Sequence, residues 1–259
     1  MSFDPQSFDF QSLDLLALSW IAGVFLLAGM VKGVIGLGLP SISLGLLAAT
    51  MDLTLAMILL LAPNLVTNLW QALHGGHLRA LLLRLWPFLL CAGIAIWPGT
   101  AALGVVDGRK LAALLGLLLV VYALLGLLRP PLNLGPRHEV WAGPLTGIVN
   151  GLLTGLTGSF VVPGVPYLQA LGLSRDQLVQ AMGLLFMAST LGLGASLSGR
   201  SMLGPEQLAL SAACLVPALA GMALGRRLRH RLSEAAFKRV FYAGLLLLGL
   251  YIVARWLLA

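Results

Sequence analysis

The chain has 259 residues, 59% of them hydrophobic and only 10% charged, with a formal net charge of +7. Its mean hydropathy is +0.97, whereas a soluble domain would carry about 25% charged residues. An ordinary soluble fold is therefore excluded. The basic balance does not point to nucleic acid either, because Lys and Arg cluster in short connections between apolar runs, where they set orientation in a bilayer.

The first fourteen residues, MSFDPQSFDFQSLD, are acidic and lack a basic leader region. They do not resemble a cleaved signal peptide, so the first span is expected to stay in the mature protein. Beyond them the sequence predicts eight long apolar segments, at 15–37, 53–73, 85–104, 110–128, 141–159, 177–197, 206–225 and 236–258. Each approaches the ~20 residues that cross a bilayer. Two short segments, 40–50 and 163–172, reach about half-way at 1.5 Å per residue. The expected fold is an all-α polytopic membrane protein. It has eight long transmembrane helices and two short half-span helices in two homologous halves of five segments (long-short-long-long-long). The boundary falls at Arg129-Pro130-Pro131, giving repeats 1–130 and 131–259 within one membrane domain.

Each short segment follows a glycine-rich break. Residues 29–40 read GMVKGVIGLGLP and residues 151–163 read GLLTGLTGSFVVP, both with Gly-x-x-x-Gly-x-x-Gly and then a proline. In hydrocarbon a broken helix leaves backbone groups without partners, which is tolerated only inside protein or beside a polar cavity. Paired breaks in two halves point to a transporter's binding site. The alternative is close helix packing through small residues, which suits Gly29 and Gly33 but not Gly36, Gly38 and Pro40.

Positive charge bears on topology. If all ten segments cross, Arg79, Arg84, Arg129, Arg137, Arg175, Arg226, Arg227, Arg229, Arg231, Lys238 and Arg239 share one side. Arg109, Lys110, Arg200 and Arg255 take the other. If the short segments are re-entrant and only eight cross, the bias shrinks. The ten-crossing arrangement obeys the positive-inside rule better, puts both termini outside and makes the halves inverted repeats.

All nine carboxylates lie at segment ends or in connections, and Lys32 alone among sixteen basic residues lies well inside an apolar run. An intramembrane charge is a functional candidate by default, at a cost of about 2.5–3.5 kcal/mol. Snorkelling to an interface is the competing reading. Beside a break, exposed N–H groups and the positive end of the following helix favour an anion. These donors are expected near Ser41, Ile42 and Ser43 after the first break, and near Thr157, Gly158 and Ser159 after the second. Thr154 lies just before the second break, and Pro163 opens the short helix after it.

Asn64, Thr67, Asn68 and Gln71 fall at i, i+3, i+4 and i+7, one face of a helix that should look inward. They line a pathway or bond a neighbouring helix, the latter worth about 0.6 kcal/mol per pair. The matching segment of the second half offers Gln180, Ser189 and Thr190. His74 and His77, without further ligands, are a weak metal signal. Cys91 and Cys214 read as packing residues. No hydrolase motif and no pair of intramembrane acids occurs, so no enzyme activity, metal or cofactor is expected.

GMVKGVIGLGLP, PNLVTNLWQALHGG and GLLTGLTGSFVVPGVPYLQALGLSRDQLVQAMGL resemble the sulfite exporter TauE/SafE family of membrane permeases, over nearly the whole chain. The resemblance implies a multi-pass inner-membrane transporter built from a duplicated unit, with sulfite, sulfoacetate and related sulfonates as substrates. The family's consecutive glycines are thinned here to Gly36-Leu37-Gly38 and Gly158-Ser159-Phe160. The expected function is export of such anions by alternating access, with the small anion and the lipid bilayer as partners. Cation-coupled uptake of organic anions, and a non-transporting membrane subunit or sensor, are the alternatives.

Overall fold

The computed structural model describes residues 14–128 and 133–258. The expected repeat boundary at 129–131 and residues 1–13 of the acidic N-terminal stretch lie outside the described residues. Among the described residues eleven α-helices follow one another: α1 (Leu15–Ile35), α2 (Leu39–Thr50), α3 (Leu53–Leu59), α4 (Leu61–Leu73), α5 (Leu78–Ala101), α6 (Gly108–Leu128), α7 (Pro136–Thr157), α8 (Gly164–Ala170), α9 (Arg175–Gly199), α10 (Pro205–Leu228) and α11 (Glu234–Leu257). Carboxylates and hydroxyls at segment ends cap these helices, satisfying N–H groups that have no partner inside the helix. Asp14 accepts from Ala17 N, Asp52 from Thr54 N and Leu55 N, and Ser174 from Gln177 N.

Among the described residues six helices are long and apolar enough to cross a membrane: α1, α5 with the turn that extends it to Gly104, α6, α9, α10 and α11. The bent pair α3–α4 counts as a seventh. The protein is thus a multi-pass membrane protein. α7 has 22 residues but carries Arg137, His138, Glu139, Asn150, Thr154 and Thr157, and its polarity keeps it below the same measure. The segment expected as one span at 53–73 is broken at Leu60 with a bend of 43°. Pro63 accounts for it. Proline has no N–H to give the carbonyl of Leu59, and its ring crowds that carbonyl.

Small residues bring the long helices together. α1 packs on α10, α5 on α7, α6 on α11, and α4 on α9. A Cβ added at Gly29 or Gly33 would stand 2.1 Å from the Ala218 carbonyl oxygen or 2.3 Å from that of Met222. At Gly151 and Gly155 it would stand 2.3 Å from the Ala92 carbonyl oxygen and 2.4 Å from that of Ile96. Gly116 and Gly249 meet each other in the same way between α6 and α11. The packing reading of Gly29 and Gly33 therefore holds.

The ends of the short helices are tied. Trp20 Nε1, near the start of α1, donates to Thr50 Oγ1 at the end of α2 (3.1 Å). Arg255 also donates to the Ala49 carbonyl. Leu134 N, just before α7, donates to the Ala170 carbonyl at the end of α8 (2.8 Å). Arg84 joins Glu139 through two bonds of 2.6 and 2.9 Å and reaches the Leu171 carbonyl at 3.1 Å. Each short helix thus ends beside the start of the long helix before it.

Candidate functional site

α1 ends because Gly36 takes a left-handed conformation (φ 78°), its N–H returning to the Lys32 carbonyl at 2.8 Å. Gly38, at φ 105°, then opens α2, with Pro40 in its first turn. Glycine alone adopts such values without strain. Of the expected donors, Ile42 N is bonded to the Gly38 carbonyl and Ser43 Oγ donates to the Leu39 carbonyl at 2.5 Å. The Ser41 hydroxyl is buried and has no partner.

One helical turn before this break, Lys32 is 5% exposed. It does not snorkel. Its ammonium donates to Thr67 Oγ1 at 3.0 Å and to Asn68 Oδ1, both on α4. Thr67 is fixed in turn by a 2.7 Å bond to the Pro63 carbonyl. An ammonium has three donors, and two are used on neutral acceptors. Among the described residues the ion pairs are Arg84–Glu139, Arg175–Glu234 and Lys238–Glu234, so no carboxylate balances Lys32. A buried charge without an opposite charge is costly, and the surroundings are rich in unspent donors. Asn68 Nδ2 is unpartnered, and Asn64, one turn earlier, is wholly buried with neither amide atom bonded. Native structures leave few buried polar groups unpaired, so this concentration beside a lone cation marks a place for a polar guest.

The second break has the same backbone and different chemistry. Gly158 repeats the left-handed cap (φ 73°), and its N–H returns to the Thr154 carbonyl at 2.7 Å. Thr154 therefore stands where Lys32 stands. Here most of the polar groups are spent on the break itself, and the Asn150 Nδ2 is left unpartnered. Thr154 Oγ1 donates to the Ser159 carbonyl (3.0 Å) and Thr157 Oγ1 to the Leu153 carbonyl (2.7 Å). Ser159 N donates to Thr157 Oγ1 (3.2 Å). Gly164 N, opening α8 just after Pro163, donates to Asn150 Oδ1 at 2.9 Å.

The remaining polar residues divide. Gln71 donates to the Val179 carbonyl and Gln180 to the Ala72 carbonyl, both at 2.7 Å, and Gln180 Oε1 accepts from His77 N at 3.0 Å. These two amides clamp α4 to α9. Ser189 is buried with an unpartnered hydroxyl, while Thr190 bonds its own helix at Phe186. His74 stacks on Trp70, and among the described residues no group of three metal-binding side chains exists. A cavity of about 770 Å³ lies at the far end of α2, between Thr50–Leu53, Val105–Arg109, Arg255 and Trp256.

Two buried residues escaped the sequence reading. Asn150 braces the second break; an amide directly before Gly151 in an apolar run was its signal. Ser211, on α10, holds the bend between α3 and α4, and a serine in an apolar helix gives no such signal.

A multi-pass helical protein that, among the described residues, buries a cation with no carboxylate at a broken, donor-rich helix has the make-up of a membrane permease. The family model for the sulfite exporter TauE/SafE matches residues 21–252, and the chain belongs to that family. This is a family of transporters, not of enzymes, and the matched stretch contains both breaks and every candidate site residue. No curated protein and no solved structure is significantly similar to the chain.

Proposed function

We propose that the protein exports small sulfur-containing oxyanions, sulfite or a sulfonate, across the inner membrane by alternating access. The observation that carries this reading is Lys32, a buried ammonium with a free donor, neutral partners and no carboxylate. An oxyanion would supply the missing negative charge. The unspent Ser41 hydroxyl, Asn64 and Asn68 amides, and the first turn of α2 would give its oxygens donors. Gly36, Gly38 and Pro40 shape the approach. Thr154, Thr157, Gly158, Ser159, Pro163 and Ser189 belong to the counterpart break and its facing helix, and Gln71 and Gln180 fasten the gate between the halves.

Direction follows from the membrane potential. An inside-negative potential favours expulsion of an anion by about 2.3 kcal/mol per charge per 100 mV. In proteoliposomes loaded with sulfite, efflux should require the protein and accelerate when the interior is made negative. Absence of protein-dependent sulfite or sulfonate flux under either sign of potential would overturn the transport reading.

The reading includes a ten-segment arrangement with inverted halves, which would serve this mechanism. The bonds Trp20–Thr50, Leu134–Ala170 and Arg84–Leu171 join groups that share a face when each short helix brings the chain back, and oppose them when only eight segments cross. The packing of α1 on α10 is matched by that of α7 on α5, which fits two related repeats, 1–130 and 131–259. Single cysteines in the 133–135 and 229–233 connections should both be protected from an impermeant reagent added outside intact cells. Labelling of one of them alone would contradict the inversion.

A further inference from the structure

The bend at Leu60 carries a bond pattern that the transport reading leaves unused. Ser211 lies on α10, fully buried. Its hydroxyl donates to the Leu59 carbonyl at 3.0 Å and accepts from Ala62 N at 3.0 Å. Leu59 is the residue whose α-helical donor would be the N–H of residue 63, and residue 63 is proline. One side chain from the other half of the molecule thus fills both openings made by the bend. It replaces the donor that Pro63 lacks and accepts from the N–H next to it. The same oxygen acts both ways, as a hydroxyl can.

What the bend aims is the lysine's own scaffold. Three residues past Leu60, the Pro63 carbonyl accepts from Thr67 Oγ1, and Thr67 and Asn68 accept the Lys32 ammonium. Ser211, the bend, Thr67–Asn68 and Lys32 form one connected chain of hydrogen bonds and helix. Between Leu60 and Asn68 a helix rises about 12 Å, so a change of a few degrees at the bend displaces the Lys32 acceptors by a sizeable fraction of a hydrogen-bond length. Geometry of this kind is lost when its supporting groups are loose.

We infer that Ser211 is a positioning residue: by standing in for the N–H that Pro63 lacks, it sets the direction of α4 and so places Thr67 and Asn68 against Lys32. The inference rests on Lys32 being the anion-binding group. Ser211 itself touches no substrate. It acts from the second half on the site of the first, so the site depends on how the two halves are docked.

The test is a double-mutant cycle on the full-length protein in detergent, with sodium sulfite as probe. Affinity is read from ligand-induced thermal stabilisation, and the melting temperature without ligand is read separately. Ser211→Ala should weaken sulfite binding by about tenfold, and Ser211→Thr, which keeps the hydroxyl, should stay closer to the parent. Pro63→Ala restores an N–H to Leu59 and removes the need for a surrogate, so Ser211→Ala added to Pro63→Ala should cost clearly less affinity than it does alone. That coupling is what a merely space-filling serine would not produce. If Ser211→Ala lowers the melting temperature but leaves sulfite affinity unchanged, or if its effect is the same with and without Pro63, the inference is overturned. If Ser211→Ala does not fold, the Ser211→Thr and Pro63→Ala affinities still decide. Pro63→Ala should then shift sulfite affinity while folding normally, and a parent-like affinity in both would overturn the inference. Lys32→Met run beside them separates the two ideas. If it binds sulfite like the parent, the lysine reading fails; if it alone loses binding, only the role of Ser211 fails.

Discussion

The two helix breaks share a backbone and differ in what their polar groups do. Both stop a helix with a left-handed glycine, Gly36 or Gly158, whose N–H returns to the residue four positions back. At the second break Thr154, Thr157 and the Asn150 amide oxygen bond the broken backbone, and only the Asn150 amide nitrogen of these groups is left over. At the first, Lys32 turns away to α4, and Ser41, Asn64 and the Asn68 amide nitrogen are left unpartnered. A break whose polar groups are mostly bonded to its own backbone suits a structural joint. A break that buries a cation and leaves donors unspent suits the guest proposed above. The two breaks repeat one shape, and their side chains put it to different uses.

This comparison can be broken at its shared part first. Leucine at Gly33 or at Gly155 should abolish folded, monodisperse protein, because the added Cβ would lie 2.3 or 2.4 Å from a facing backbone oxygen. A penalty above about 4 kcal/mol is expected for such a clash. Size-exclusion profiles check it, and tolerance at one position only would show that the two interfaces are not equivalent.

A smaller effect separates the breaks. Asn150→Ala should lower the melting temperature, since Gly164 N–H loses its acceptor at a cost of about 1–3 kcal/mol, while sulfite still stabilises what folds. Ser41→Ala should do the reverse. It removes an unpartnered hydroxyl, so stability should stay within about 0.5 kcal/mol, and sulfite binding should weaken by the worth of one hydrogen bond, about 0.5–1.5 kcal/mol. Paired thermal melts with and without sulfite measure both, and the exchange of these two outcomes would reverse the roles assigned to the breaks.

Much of this was legible in the residues. Composition gave the membrane class, and the repeated Gly-x-x-x-Gly-x-x-Gly gave both breaks. The isolation of Lys32 among apolar residues singled out the candidate site. What stayed hidden depends on partners far along the chain. The stripe Asn64, Thr67, Asn68, Gln71 shares one face as the spacing requires, yet three of its members lie at the lysine or beside its acceptors while Gln71 reaches Val179. Periodicity places a side chain on a face and does not say what stands opposite. The bend at Leu60 had its local signal in Pro63, but whether a proline bends a span depends on a neighbour such as Ser211 satisfying the freed groups. The second break looked donor-rich because Thr157 and Ser159 were counted as available, whereas each is bonded within its own turn.

The central claim is that Lys32 holds the anion, and the most direct measurement is sulfite-induced thermal stabilisation of Lys32→Met beside the parent and Lys32→Arg. Methionine keeps the length and removes the charge, so folding should be intact or improved and the sulfite response lost. Arginine replaces a compact ammonium by a wide planar fork and should respond only in part. A Lys32→Met protein that sulfite stabilises as strongly as the parent would contradict the account.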